Sequence, residues 1–422
     1  MPSLNDIVEI ARALESKPVL VLAERCVAVR KRNASCQRCA EACPTDAVRV
    51  ANNEVTIDFD ACVSCQACAT ACPMDALVPL IPMEEELITQ ARTNMQHVGG
   101  KTVIACARAV YKATANPETY VEVPCLCRVG ESTLVELALD SEFGKSFGER
   151  GNGELVLVDG DCATCRFRAT QATTDAVVAS VNQLLAIWGS SVRVSCTSAF
   201  PRACELSQGQ TRLIDQISRR HAFEEAGKGA KNAAKTVLAQ QLRLGDENAA
   251  PTLHDLFAVT DDTSKLMQFK PQRQLRIMDA LDRMGEPVSN AQPLETRLWG
   301  KVDIDAEACI ACGMCATFCP TGAVSGAPES EAQARDCDLV LEHWAAGCTQ
   351  CGLCADVCLM HCLTVQSRIE PAQLMDFEPR SFCLHQQDQD RIFTTGLLKS
   401  GAARKESVDG VEDQSQYDEE NH

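Results

Sequence analysis

Cysteines at fixed short intervals constrain this chain more than any other feature of its sequence. The segment Cys62-x2-Cys65-x2-Cys68-x3-Cys72-Pro73 recurs as Cys309, Cys312, Cys315 and Cys319, again followed by a proline, Pro320. It recurs once more as Cys348, Cys351, Cys354 and Cys358, where Leu359 stands in the proline's place. A further copy is incomplete: Cys36-x2-Cys39-x3-Cys43-Pro44 has Asn33 where the first cysteine is due. Three thiolates at this spacing wrap one face of an iron–sulfur cubane, and the fourth cysteine ligates the other cluster of a pair. Thiolates suit iron because they are soft, anionic donors. Cys-x2-Cys pairs also hold structural zinc, but zinc sites usually pair two short elements, and three cysteines followed by x3-Cys-Pro form a different arrangement. The copies fall into two modules, residues 26–73 and 309–358, so the chain carries an internal repeat.

Composition agrees with metal-held thiols. A scaffold built on disulfides is normally short and secreted, whereas this chain has 422 residues and 26 cysteines. It starts "MPSLNDIVEIARALESKP", with acids and no apolar core of a signal peptide. No run approaches the roughly 20 apolar residues that span a bilayer. The expectation is a cytoplasmic protein with reduced cysteines and no direct membrane insertion. A formal charge of -18 argues against nucleic acid as a partner, because such binding relies on Lys and Arg neutralising phosphates. Acidic electron carriers commonly meet a basic face, which speeds encounter, and the partners expected are other redox-protein subunits.

The cysteine blocks resemble two-cluster bacterial-type ferredoxin domains, and the crossover of the fourth cysteine assigns four ligand sets. In the second module Cys309, Cys312, Cys315 and Cys358 make one set, and Cys348, Cys351, Cys354 and Cys319 the other. In the first module Cys62, Cys65, Cys68 and Cys43 are complete. Cys36, Cys39 and Cys72 remain one ligand short. Cys26 is the unassigned cysteine nearby, ten residues before Cys36 across "VAVRKRN", and a loop of that length closes at little entropic cost. Cys26 is taken as the fourth ligand. The alternative is a buried, apolar Cys26 beside a three-iron site. Cys362 repeats the x3 spacing after Cys358 and could replace it, with Cys358 preferred. Cys204, Cys337 and Cys383 are read as unligated.

Between the modules the texture changes. "TVIACA", "TYVEVPCLC", "ELVLVDGDC" and "SVRVSC" are β-branched runs, and Val177, Val178, Val181, Leu184, Leu185 and Trp188 recur at helical spacing over 170–188. Strands alternating with helices predict a small, mostly parallel sheet. Cys106, Cys125, Cys127, Cys162, Cys165 and Cys196 all fall at or just past the C-terminal strand ends, the edge where such sheets bind ligands. On "VEVPCLCRVGESTLVELAL" and "ELVLVDGDCATC" the region resembles the iron–sulfur δ subunits of methyl-viologen-reducing hydrogenase and heterodisulfide reductase complexes. That resemblance implies a [2Fe–2S] cluster and docking to a heterodisulfide-reductase-type flavoprotein. Two departures are that Cys106 lacks the family's close companion cysteine and that Cys162-x2-Cys165 is tighter than the family pattern. The expected ligands of a middle cluster are Cys106, Cys125, Cys162 and Cys165, with zinc or plain structural thiols as the alternative.

The fold class expected is α+β and multidomain: two ferredoxin-like 2[4Fe–4S] modules around a small α/β, mostly parallel sheet domain and a helical linker. The division is 1–85 (a helix carrying Leu4, Ile7, Val8, Ala11 and Leu14, then the first module), 86–208 (central domain), 209–290 (linker), 291–375 (second module) and 376–422 (an acidic tail poor in apolar residues, read as disordered). No dinucleotide fingerprint, phosphate loop or covalent-haem motif is present: "AGKGAKNAAKT" and "GNGELVLVDG" fit neither of the first two. Several clusters with complete ligation and no recognisable substrate chemistry point to an electron-transfer subunit of a larger redox complex, with a hydrogenase, a heterodisulfide-reductase-like flavoprotein or a molybdopterin oxidoreductase as its partner. The alternatives are a reductase acting on a substrate or disulfide at the middle cluster, and a redox-sensing or assembly protein.

Overall fold

Short runs of alternating apolar residues frame each cysteine block, too short to stand alone and therefore paired across the block. The computed structural model describes residues 17–32, 34–143, 153–205, 266, 268–288, 292–376 and 378–386. The expected N-terminal helix, most of the 209–290 linker and the acidic tail past residue 386 lie outside the described residues.

Four strands frame the first module: β1 (Val19–Val21), β2 (Val48–Ala51), β3 (Glu54–Ile57) and β4 (Leu77–Pro79). β1 pairs antiparallel with β4, and β2 with β3. The β2–β3 turn uses Asn52 and Asn53 at φ 53° and 63°, the left-handed pair that tight hairpins favour. Val48 and Val55 face the module's core, and the helices Arg38–Glu41 and Ala67–Ala71 carry cysteines against it.

The central domain is built on β5 (Thr102–Cys106), β6 (Val121–Val123), β7 (Glu154–Val158) and β8 (Arg193–Thr197), all parallel in the order β6-β5-β7-β8. Each of the four β-branched runs supplies one strand. β5 is buried along its whole length, as parallel strands covered on both faces are. The helices Glu84–Met95, Glu131–Phe143 and Gln171–Ile187 contribute Leu87, Leu134, Leu137, Val181 and Leu184 to the same core as Ile104 and Leu157.

That core differs from the sequence division in two ways. The helix Glu84–Met95 straddles the boundary drawn at residue 85 and belongs to the central domain through Leu87, Ile88 and Ala91. The helix Gln272–Met284, assigned to a linker, buries Ile277, Ala280 and Leu281 in the central core. Its apolar stripe has a partner that lies far away in sequence, so local pattern gave no sign of it. Arg297 reinforces this join with an Nη2 donor 2.8 Å from Oε2 of the fully buried Glu131.

The second module contains β9 (Leu294–Glu295), β10 (Lys301–Ile304), β11 (Val324–Gly326), β12 (Leu339–His343), β13 (Leu363–Gln366), β14 (Arg368–Ile369) and β15 (Arg380–Leu384). β10 pairs with β13 as β1 does with β4, and β11 with β12 as β2 does with β3, so the repeat extends from motif to fold. Here β15 adds a third strand beside β12, and β9 pairs with β14.

Although the central domain separates the modules in sequence, they pack directly on each other. Leu353 and Val357 of the second module join the first module's apolar core, with Phe269 from the preceding segment beside them. Ser35 donates its backbone N–H and its hydroxyl to Asp356 Oδ2 at 2.8 and 3.0 Å, and Arg38 Nη2 donates to the Gln350 carbonyl at 2.8 Å. A second correction concerns redox state. Cys337 and Cys383 lie outside every ligand set, as expected, but they form a disulfide that ties the start of β12 to β15, so not every cysteine is a free thiol.

Candidate metal centres

The three complete motifs share one backbone device. The second and fourth residues after the first cysteine have left-handed φ: Ser64 and Gln66 (59° and 65°), Ala311 and Gly313 (52° and 68°), Gln350 and Gly352 (54° and 79°). Four of these six are not glycine, so the conformation costs energy that packing must supply. Its effect is to turn successive amides inward as an anion-binding nest. Accordingly the backbone amides of Ser64, Ala67, Ala311, Gln350 and Leu353 favour the thiolates of Cys62, Cys65, Cys309, Cys348 and Cys351. At the Cys-Pro corners of two complete motifs the match repeats: Ala76 N–H donates to Cys72 at 3.3 Å and Val324 N–H to Cys319 at 3.4 Å. The incomplete motif lacks this loop, since Gln37 has φ -124°.

The electrostatics of the thiols record which of them stand together. Burial pushes Cys39 up to about 12, followed by Cys72, Cys36 and Cys26. Cys26, at the N-terminal end of the helix Val27–Arg30, is thus within electrostatic reach of Cys36 and Cys39, as Cys72 is of Cys39. Cys68 is raised by burial and then by Cys65, Cys39, Cys43 and Cys62, which gathers the set Cys43, Cys62, Cys65 and Cys68 and places it beside Cys39. Cys354 is raised by burial and then by Cys348, Cys351, Cys319 and Cys315, so the set Cys319, Cys348, Cys351 and Cys354 borders that of Cys315. Cys315 goes up to about 12 by burial and then through Cys309, Cys312 and Cys358. Finally, Cys36 is among the groups raising Cys351, across the module contact.

Buried thiols that raise one another gain when iron replaces their protons. Arg30 provides an independent test of fit. It comes from the first module, is raised electrostatically by Cys319 and Cys351 of the second, and its buried Nε and Nη2 have no hydrogen-bond partner. An anionic thiolate-ligated cluster is the partner such a cation needs. Among the described residues, no group of three or more His, Cys, Asp or Glu could hold a single metal ion.

The central domain brings together four of its cysteines. Cys106 ends β5, Cys125 follows β6, and Cys162 and Cys165 follow β7; all four line one cavity of about 370 Å³ with Arg166 and Phe167. β6 and β7 lie on opposite sides of β5, so the cavity opens at the point where strand order reverses. Cys162 is pushed up to about 12 by burial, then by Asp159, Cys125, Cys106 and Cys165. The Ala109 amide donates to Cys106 at 3.4 Å, and the amides of Arg108 and Gly160 also favour its thiolate. Gly160 must be glycine there, because a Cβ would stand 2.7 Å from the Arg108 Cβ.

Two cysteines expected at this edge do not join the cavity. Cys196 is exposed on β8. Cys127 turns the other way, fully buried, with its sulfur donating to the Cys65 carbonyl at 3.3 Å. Its thiol also stands beside Cys125, which it draws down to about 6. Cys127 thus joins the central cavity to the first module, a role that only its Cys-x-Cys spacing could have suggested. Cys362 does the same locally: its sulfur is 3.4 Å from Cys358, and Cys309, Cys312, Cys315, Cys358 and Cys362 line one small cavity, so five cysteines share that site.

Comparison with family models matches three segments. A 4Fe-4S dicluster domain matches residues 34–77, and 4Fe-4S binding domains match 302–325 and 345–360. No curated protein and no solved structure gives a significant match. The class is therefore that of proteins with repeated iron–sulfur, ferredoxin-type domains, in both cysteine blocks and set in a mixed helix-and-sheet framework.

Proposed function

We propose that the chain is an electron-transfer subunit in which five metal centres stand in one file. The order is the central cavity (Cys106, Cys125, Cys162, Cys165), then the Cys43/Cys62/Cys65/Cys68 set, the Cys26/Cys36/Cys39/Cys72 set, the Cys319/Cys348/Cys351/Cys354 set, and the Cys309/Cys312/Cys315/Cys358 set. The carrying observation is that neighbouring sets stand within electrostatic reach of one another: Cys127, beside Cys125, bonds the Cys65 carbonyl, and Cys39 raises Cys68, Cys36 raises Cys351 and Cys315 raises Cys354. When bound, [4Fe–4S] clusters and a smaller middle cluster would accept and release single electrons. The protein's part is to bury the thiolates, aim amides at them and fix their spacing. Direct packing of the modules closes the gap that the central domain opens in sequence.

Both ends of the file reach the surface. The central cavity is open beside Arg166, and Cys312 is exposed next to Met314 and Leu359. Entry at one end and exit at the other suits an intermediary between redox subunits. A flavoprotein of the heterodisulfide-reductase type is the partner proposed at the cavity. The test is electron paramagnetic resonance of the fully reduced protein. A file of centres gives spectra broadened by spin coupling between neighbours, and Cys351→Ser removes the coupling between modules. Sharp, independent signals in the unaltered protein would refute the file.

A further inference from the structure

Resting on that file, we propose that the Cys337–Cys383 disulfide is its redox-active end, an acceptor that exchanges with external disulfides. Of the described cysteines this pair is the one joined as a disulfide, and its position is specific. Leu384, adjacent to Cys383, packs with Leu341 in the same apolar cluster as Cys309 and Cys362. Leu339, two residues from Cys337, reaches within 4.0 Å of the point where a Gly313 side chain would begin, next to Cys312. Two residues of strand and one van der Waals contact put Cys337 on the order of 10 Å from the Gly313 turn that carries Cys312, while Cys383, paired with Val340, stands on the other face of the sheet from Leu341 and Leu384. Cys383 is exposed and Cys337 half-buried, and in chains that otherwise keep their thiols reduced such bonds are mostly catalytic or redox-sensing.

The surroundings carry proton chemistry. His385 Nε2 lies 3.7 Å from the Cys383 sulfur, and His385 Nδ1 lies 4.0 Å from Asp338 Oδ2, on the residue next to Cys337. Two electrons arriving singly from the Cys309/Cys312/Cys315/Cys358 end, with two protons from solvent, break the S–S bond and leave two thiols. His385 hands one proton to Cys383. It can take that proton back to expose a thiolate, the attacking form in thiol–disulfide exchange. Attack on an external disulfide forms a mixed disulfide and releases one thiol. Cys337 then attacks Cys383, releasing the second thiol and restoring the pair. The electrons come from a low-potential one-electron donor at the far end of the file.

The test uses full-length, iron-loaded protein under anaerobic conditions with reduced methyl viologen as the one-electron donor. Quenching with iodoacetamide and peptide mass spectrometry then reads alkylation at Cys337 and Cys383. Both residues become alkylated together, about ten-fold or more faster than in Cys312→Ala, which loses a ligand at the adjacent site. A reductive titration of Cys383→Ser takes up two fewer electrons per chain than the unaltered protein, with the cluster signals retained. Equal rates with and without Cys312, or no alkylation, reduce the disulfide to a staple between β12 and β15 and overturn the inference. An unaltered protein holding no more iron than Cys312→Ala would sink the functional reading itself, and that count is taken before any donor is added.

Discussion

Arg30 offers a quantitative handle on the junction between the modules. It is the last residue of the helix that Cys26 caps in the first module, and its guanidinium feels Cys319 and Cys351 of the second with two buried nitrogens unpartnered. Burial is the first cause that lowers its pKa, and the two cysteines oppose that shift. A cation beside a cluster favours the reduced state, so Arg30→Met should lower the potential of the Cys319/Cys348/Cys351/Cys354 site. At a separation of about 8 Å and an effective dielectric of about 20, Coulomb's law gives about 2 kcal/mol, or about 90 mV for a one-electron couple. Arg30 is only half-buried, and solvent screening brings the expected fall to about 40–90 mV. Arg30→Lys keeps the charge and should recover most of it. The assay is a potentiometric titration followed by electron paramagnetic resonance. A rise in potential, or no change in Arg30→Met, would refute the placement of this cation between the two modules' centres.

Other perturbations separate the remaining centres. Cys26→Ala should convert one four-iron signal into a three-iron signal in the oxidised protein, and an unchanged spectrum would remove Cys26 from its set. Cys162→Ser should abolish one signal and leave the ferredoxin-type signals intact; loss of none returns the central cysteines to a structural role. His343 is held down to about 4 by burial and then by Arg380, against an ordinary 6.5. Between those values the unfolded chain binds a proton that the folded chain does not, so stability is full above about pH 6.5 and falls towards pH 4, by about 1.4 kcal/mol per unit. In urea-unfolding midpoints compared at pH 7 and pH 5, His343→Gln should flatten that slope, and an identical slope would clear His343.

Local spacing carried the cysteine sets, because a cubane's geometry is written in intervals of three and four residues. It also placed β5 to β8, since each is a β-branched run bounded by turns, and Cys26 emerged from the missing ligand at Asn33. What pattern could not supply is pairing over long separations. The stripe of Gln272–Met284 has the same period whether it faces solvent or Leu134. Nothing near Ser35 announces Asp356, 321 residues away. The spacings Cys125-x-Cys127 and Cys358-x3-Cys362 are visible in the sequence, but the roles of Cys127 and Cys362 arise from thiols brought next to them by the fold. Cys337 and Cys383, 46 residues apart, meet only because β15 pairs with β12.

Metal content tests the central claim most directly. Iron and zinc are counted per chain on anaerobically purified protein, with acid-labile sulfide measured alongside. Four cubanes with a smaller or equal middle cluster require about 16 to 20 irons and a comparable amount of sulfide. Stoichiometric zinc with fewer than about eight irons would contradict the file of centres from one end to the other.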